Sequence, residues 1–206
     1  KERLPKDAHY GQQNLGVCSA PTVVGNRAYV VTSSCEIICL DVKGQADGND
    51  GEFKDEASYI AGAKNPPVAL DKTDGDILWK YDLVDQLGVC PHDVAACSVL
   101  VDGDILYCTS ANGVNHEHTF CLHPNAPSFI ALDAKTGKLL ATDTEDLGHR
   151  MWHCLWSPPT VGVVNGKKLV FFGGGDGLCY AFEALTSVPK EPVHFKKVWS
   201  YDCDPP

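Results

Sequence analysis

One pattern of residues occurs three times along this chain of 206 residues, and it limits the possible folds more than any other feature. Each copy has two short apolar runs separated by a turn pair, Gly25-Asn26, Asp102-Gly103 or Asn165-Gly166. Such pairs supply the positive φ angles that two-residue β-hairpins need. A third apolar run and an outer run follow in each copy, so each copy predicts four antiparallel strands. Four strands per repeat are typical of a β-propeller blade.

The three predicted blades cover residues 18–83, 97–144 and 156–204 and make the chain all-β. Residues 44–72 of blade one are polar and rich in turn residues, which predicts a surface loop. A second insertion, 110–127, interrupts blade two. The only helix candidate is the short stretch 84–87. A β-sandwich is the alternative fold, but it does not explain the threefold repeat.

The charge of the chain argues against a nucleic-acid partner. The formal net charge is -10, and no run of lysine or arginine offsets it, so a phosphate backbone would be repelled. The longest apolar runs, such as 28–31 and 169–172, are far shorter than the roughly 20 residues that span a bilayer. We therefore expect neither a nucleic-acid partner nor a transmembrane segment.

Cysteine is abundant, with ten residues. A high, even count is typical of disulfide-linked proteins, so it predicts at least two disulfides and a periplasmic, cell-envelope or secreted location. Cys35 and Cys39 cannot bridge each other, because four residues of strand span about 13 Å and a disulfide joins Cα atoms within about 7 Å. The other pairings stay open. The disulfide candidates are Cys18, Cys35, Cys39, Cys90, Cys97, Cys108, Cys121, Cys154, Cys179 and Cys203.

Residues 131–140, which read Ala-Leu-Asp-Ala-Lys-Thr-Gly-Lys-Leu-Leu, and the weaker copy at 70–79 resemble the repeat of the pyrroloquinoline-quinone-binding-like (PQQ-like) β-propellers. In that family an Asp-x-x-Thr-Gly turn precedes a strand with a blade-edge tryptophan. Trp79 ends the weaker copy, and Trp79 and Trp199 both lie on predicted outer strands. A subgroup frequent in Planctomycetes is similar over almost the whole chain, most closely at 35–41, 91–98, 126–131, 173–177 and 201–205.

The resemblance implies a ring of seven or eight blades, of which these three would be internal, with residues 1–5 between blades. Three blades do not close a ring, so a longer chain or another subunit would supply the rest. Such propellers include dehydrogenases and assembly factors, so the resemblance implies a fold more than an activity. Our first hypothesis is an envelope propeller that acts as a binding or scaffold module for a protein partner. The alternatives are a PQQ-dependent dehydrogenase and a metal-binding or electron-transfer accessory protein.

Histidine and cysteine are concentrated in the insertion 110–127 and in the loop 144–156, and Cys90, His92 and Cys97 precede them. Imidazole and thiolate are ligands of Zn and Cu, so these residues could bind a metal ion. The alternative is that the same side chains fix the two loops by hydrogen bonds and disulfides. We expect the two loops to form one site, with His118 and His153 within about 15 Å. The predicted metal ligands are His116, His118, Cys121, His123 and His153.

Trp152 and Trp156 flank His153 and are candidates for stacking on a cofactor, with packing in the core as the alternative. PQQ would also need Ca²⁺ and oxygen ligands, for which Asn115 and Glu117 are candidates. The sequence has no adjacent cysteine pair, which quinone dehydrogenases often carry, and no Cys-x-x-Cys-His haem motif. The cofactor therefore stays open between PQQ with Ca, and Zn or Cu. No catalytic residue is predicted.

Overall fold

The structure is a computed structural model that describes residues 16–204, so the predicted junction at residues 1–5 lies outside it. Its strands form three antiparallel sheets in chain order. Sheet one contains β1 (Thr22–Val24), β2 (Arg27–Val31), β3 (Glu36–Asp41) and β4 (Asp76–Asp82). Sheet two contains β5 (Leu100–Asp102), β6 (Ile105–Thr109), β7 (Phe129–Asp133) and β8 (Leu139–Thr142). Sheet three contains β9 (Thr160–Val164), β10 (Lys167–Gly173), β11 (Leu178–Glu183) and β13 (Lys197–Asp202). The two-residue β12 (Val193–His194) lies between β11 and β13 in the chain but is the fifth strand of sheet two.

The first two strands of each sheet form the hairpins that the repeated turn pairs predict. At the third turn, Asn165 and Gly166 have φ angles of 49° and 76°, which match the right-handed twist of the flanking strands. Gly25 and Gly103 also have positive φ angles. The third and outer strands then add in order, except that β12 pairs in parallel with β8 and so links sheet three to sheet two.

Two apolar clusters fill the spaces between neighbouring sheets. The first includes Ile37 of sheet one and Leu106 of sheet two, both fully buried. The second includes Phe129 of sheet two and Phe172 of sheet three, whose rings stack with centroids 4.7 Å apart. Sheet two is buried on both faces because side chains alternate along its strands. Successive sheets of four or five strands packed face to face make this chain part of a β-propeller, which confirms the predicted fold class.

Trp79 on β4 connects sheet one to sheet two. Its indole Nε1 donates a hydrogen bond to the Ala134 carbonyl at 3.1 Å. Its ring lies against Gly137, where a Cβ atom would come within 2.5 Å of the ring. Gly137 belongs to the Asp-Ala-Lys-Thr-Gly turn, so the repeated turn and the blade-edge tryptophan hold neighbouring sheets together.

The insertion 44–72 is not only a loop, because it contains the helix α1 (Glu56–Ala61). Its Glu56 is 1% exposed and accepts a hydrogen bond from the Ile77 backbone N–H at 3.3 Å. The Tyr59 hydroxyl donates to the Glu36 carboxylate of β3 at 2.7 Å. The prediction of a surface loop was incomplete because these contacts with sheet one stabilise a helix that has no long apolar period.

The predicted short helix is present as α2 (Leu83–Leu87), between sheets one and two. The Asp82 side chain caps its first turn by accepting from the N–H groups of Val84 and Asp85. Gly88 ends it in a left-handed conformation. Within residues 16–204, no helix is long and apolar enough to cross a membrane.

The predicted disulfides are not confirmed. All ten cysteines lie within residues 16–204, and no two of them are placed at disulfide distance. Seven are buried, and Cys39, Cys97 and Cys108 belong to the cluster between sheets one and two. The Sγ atoms of Cys97 and Cys108 are 3.6 Å apart, against about 2.05 Å in a disulfide. These residues serve as small apolar side chains, so they give no support to the predicted oxidising compartment.

Candidate functional site

Three separate segments meet on one face of the propeller and build the candidate site. Residues 90–92 follow α2, residues 112–115 begin the insertion of blade two, and residues 153–155 precede sheet three. The middle segment hydrogen-bonds to both others. Gly113 N–H donates to the Cys90 carbonyl at 2.9 Å, and Val114 N–H donates to the His153 carbonyl at 2.8 Å. We call this surface the loop face.

Gly113 allows the three segments to approach this closely. A Cβ atom at this position would lie 2.6 Å from the Cβ of His92 and 3.0 Å from the carbonyl oxygen of His153. Cβ atoms are not found at such distances from backbone atoms, so only glycine fits without a shift. The missing side chain therefore brings two histidines from opposite sides of the middle segment together.

The imidazoles of His92, His118 and His153 form one cluster on the loop face. Their ring centroids are 4.4 to 4.7 Å apart in all three pairs. The Nε2 atoms of His118 and His153 are 3.0 Å apart, which confirms the predicted approach of these two residues. One nitrogen from each ring lies within 4.8 Å of the other two. The cluster runs from the buried His92 to the exposed His118.

The tautomer of His92 follows from its hydrogen bond. Its Nδ1 lies 2.9 Å from the Val114 carbonyl oxygen, which can only accept, so Nδ1 carries the proton. Nε2 therefore keeps a lone pair. Burial lowers the pKa of His92, and the nearby His153 adds to this effect, although the bond to Val114 opposes it. At neutral pH, His92 is a neutral imidazole.

The hairpin that carries His118 is shaped by Asn115. The Asn115 Oδ1 accepts from Thr119 N–H at 2.9 Å, and its Nδ2 donates to the Glu117 carboxylate at 2.9 Å. His118 itself has a φ of 59°, and its N–H donates to the Asn115 carbonyl at 3.1 Å. This turn holds His118 over the other two rings. Asn115 and Glu117, the candidate calcium ligands, are thus bonded to each other within the hairpin.

Three of the five predicted metal ligands lie outside the imidazole cluster. His116 is exposed and is not among its nitrogens. His123 points to the Gly88 carbonyl, with which its Nδ1 hydrogen-bonds. The Cys121 thiol is not part of the group either, and its sulfur accepts a hydrogen bond from the Asn112 amide at 3.4 Å.

Cys121 and Cys154, which lie near the imidazole cluster in the sequence-predicted site, are not poised as thiolates. Burial raises the pKa of Cys154 to about 12, and its thiol donates to the Ala111 carbonyl at 3.2 Å. Burial also raises the pKa of Cys121. Both groups therefore stay protonated at neutral pH and act as packing residues here.

Trp152 and Trp156 lie at different parts of the loop face. The ring of Trp156 is tilted against His153 with centroids 4.7 Å apart, so it borders the imidazole cluster. Trp152 rests on the glycine turn of sheet three, where a Cβ at Gly177 would be 3.0 Å from its ring. Trp152 is 58% exposed and Trp156 38%. Their stacking on a cofactor stays a prediction.

The sequence places His92 just before the histidine-rich loops, but the predicted metal ligands do not include it. His92 is 26 residues before His118 and 61 before His153, so no local spacing connects them. The available signal was its place next to the insertion, in the run 91–98 that resembles the Planctomycetes-type repeat. His92 joins the cluster because the three segments cross at Gly113, and this crossing could not be predicted from the sequence.

No protein-family model and no curated protein matches the chain. Among solved structures, the chain is similar to the computationally designed Ika8 protein, with 10% identity, a TM-score of 0.45, and 90% of this chain and 36% of that one covered. It is similar to BamB from Moraxella catarrhalis, with 13% identity, a TM-score of 0.40 and 89% and 37% covered. It is also similar to the quinohemoprotein alcohol dehydrogenase from Comamonas testosteroni, with 18% identity, a TM-score of 0.42 and 95% and 21% covered.

The chain thus spans between about a fifth and two fifths of the length of these structures. At such low identity and TM-score, the similarities add nothing about activity. The propeller fold is established by the three packed sheets.

Proposed function

We propose that this chain is part of a β-propeller that acts as a binding module, and that its loop face holds a protein partner. The observation that carries the proposal is that the insertion 110–127 and the loop 144–156 join into one surface and leave large apolar side chains in solvent there. Phe120, Trp152 and Trp156 are 55%, 58% and 38% exposed. Aromatic side chains held on a rigid scaffold are typical anchors of protein interfaces.

The surrounding structure supports this assignment of the face. Strands of the sheets are committed to packing against neighbouring sheets, so recognition falls to the loops. The insertion 110–127 and the loop 144–156 are also tied to each other, since His149 Nε2 and Asn125 Oδ1 are 2.8 Å apart. A surface that is held in place before binding loses less conformational entropy when a partner docks.

A partner captured from the source cells and then purified provides the test, with binding measured to the intact chain. We expect Phe120→Ser to weaken that binding by about tenfold or more, which corresponds to about 1.4 kcal/mol. The matched control is Val163→Ser on β9, which removes another exposed apolar side chain, 68% exposed, away from the loop face. Equal affinities for wild type and Phe120→Ser would refute the assignment of the loop face.

A second partner surface is proposed at β13. Trp199 lies opposite Ala181 in sheet three, as Trp79 lies opposite Cys39 in sheet one. Trp79 is 5% exposed because sheet two covers it, whereas Trp199 is 42% exposed. We therefore propose that a further blade, in the same polypeptide or in another subunit, covers Trp199 through a turn like the one at Gly137.

A location in the periplasm, the cell envelope or outside the cell is proposed from the resemblance to PQQ-like propellers of the Planctomycetes type alone. The PQQ-dependent dehydrogenase is an alternative on the same basis, and no contact on the loop face favours it over the binding module.

A further inference from the structure

We propose that His92, His118 and His153 bind one divalent transition-metal ion, with Zn²⁺ as the ion that best fits, and leave one position open for an exchangeable ligand. This inference does not depend on the proposed protein partner. One nitrogen from each ring already lies within 4.8 Å of the other two. Around a tetrahedral ion with Zn–N bonds of about 2.0 Å, ligand nitrogens lie about 3.3 Å apart, so small rotations of the rings suffice.

The innermost ligand is already oriented for this role. His92 donates from Nδ1 to the Val114 carbonyl, which fixes the ring and directs the lone pair of Nε2 away from that bond. A backbone carbonyl on the second nitrogen is the usual outer partner of a metal-bound histidine.

The outer two ligands supply the adaptable part of the site. His118 and His153 contact each other through Nε2 atoms 3.0 Å apart, which requires one of them to hold a proton between the rings. An ion would replace that proton and draw both lone pairs toward one centre. Because His118 is exposed and sits on a hairpin tip, its ring can rotate at low cost.

The donor set selects the class of ion. Three neutral imidazoles suit Zn²⁺, Cu²⁺ or Ni²⁺, whereas Ca²⁺ takes oxygen ligands. The thiols of Cys121 and Cys154 point to backbone and amide partners, so they do not convert the site to a thiolate centre. The site therefore differs from the calcium site that a PQQ cofactor would need.

An open coordination position follows from the count of ligands. Within residues 16–204, no fourth His, Cys, Asp or Glu side chain joins the group. Three protein ligands and one exchangeable water are typical of catalytic zinc, while structural zinc has four protein ligands. The Asp93 carboxylate is 3.9 Å from the Nε2 of His92 and adds negative charge beside the ion without belonging to the group.

Calorimetric titration of the metal-free, full 206-residue chain with Zn²⁺ tests the site. We expect one ion per chain with a Kd below about 1 μM. His118→Ala should raise that Kd by more than about 100-fold, since even outer partners of a ligand are worth about 10- to 100-fold. The matched control is His116→Ala, an exposed histidine two residues away, which should leave the Kd within about twofold of wild type.

The thermal unfolding of each variant establishes that it is folded, and His118 is suited to this test because its exposed ring contributes little to packing. The three-histidine site is refuted if the wild type binds Zn²⁺ with a Kd above about 1 μM or does not bind it. It is also refuted if His118→Ala and His116→Ala have the same Kd for Zn²⁺. Since the partner assay uses Phe120→Ser, these results stay separate from the failure of the proposed binding module.

The open position is tested with the Co²⁺-loaded chain and azide as an added ligand. We expect the visible d–d absorption of Co²⁺ to change saturably with azide, because an exchangeable water is replaced. A Co²⁺ spectrum that azide leaves unchanged would show a closed site and would refute the open position.

Discussion

Gly113→Ala is the substitution that most directly tests how the loop face is assembled. The added methyl group would lie 2.6 Å from the His92 Cβ, 2.9 Å from the His92 backbone nitrogen and 3.0 Å from the His153 carbonyl oxygen. To reach the 3.4 Å of an ordinary contact, the closest of these atoms would have to move by about 0.8 Å. Two of the three are backbone atoms, so no rotation of a side chain relieves the contact.

Overpacking of this kind costs about 1–3 kcal/mol, and we expect the free energy of unfolding to fall by that amount. The shift would also separate His92 from His153, so the affinity for Zn²⁺ should fall with it. The control is Gly162→Ala on β9, where the nearest atom to the added methyl, of the Phe171 ring, is 3.5 Å away in ordinary contact.

Urea unfolding of the wild type and both variants, followed by fluorescence, measures the difference. If Gly113→Ala matches Gly162→Ala to within about 0.5 kcal/mol, the close crossing of the three segments is refuted. A similar loss in both variants would lead to the same conclusion.

The other predictions concern packing, thiols and pH. Trp79→Ala should lower the free energy of unfolding by about 3–5 kcal/mol, because a buried indole is removed. Trp199→Ala should lower it by less than about 1 kcal/mol in the isolated chain. Equal losses for the two variants in denaturant titrations would contradict the docking of Trp79 on sheet two. Thiol counting in denaturant without reductant should find ten free thiols, and a lower number would show that disulfides form. As the pH falls below about 6.5, the unfolded chain binds a proton at His92 that the folded chain resists, so the free energy of unfolding falls. His92→Asn keeps a donor for Val114 and should lose less stability over this range, and identical pH profiles of the metal-free proteins would contradict the lowered pKa.

Local sequence signals were sufficient for the sheets. Turn pairs such as Asn165-Gly166 impose φ angles that few other residues adopt, and alternating apolar runs can bury one side only as strands. The order of strands within each sheet then follows from short connections between neighbours. The helix α1 could not be predicted from local signals, because Glu56 and Tyr59 hold it through hydrogen bonds to sheet one and not through a local apolar pattern.

The chemistry of the cysteines depended on tertiary structure. Their number predicted disulfides, yet a disulfide needs two Cβ atoms at a defined separation and angle, which composition does not specify. Cys97 and Cys108 come near each other and still remain thiols, each with the Thr109 carbonyl as a hydrogen-bond acceptor.

The sequence by itself determined the blades and the richness of the loops in histidine, and it correctly brought His118 and His153 together. Only the tertiary structure decided that His92 joins them while His116 and His123 do not. The physical reason is that side chains 26 and 61 residues apart meet through backbone hydrogen bonds across Gly113. Those bonds link the insertion of blade two to the connections before and after that blade, so the packing of the sheets, rather than any spacing along the chain, selects which nitrogens share one centre.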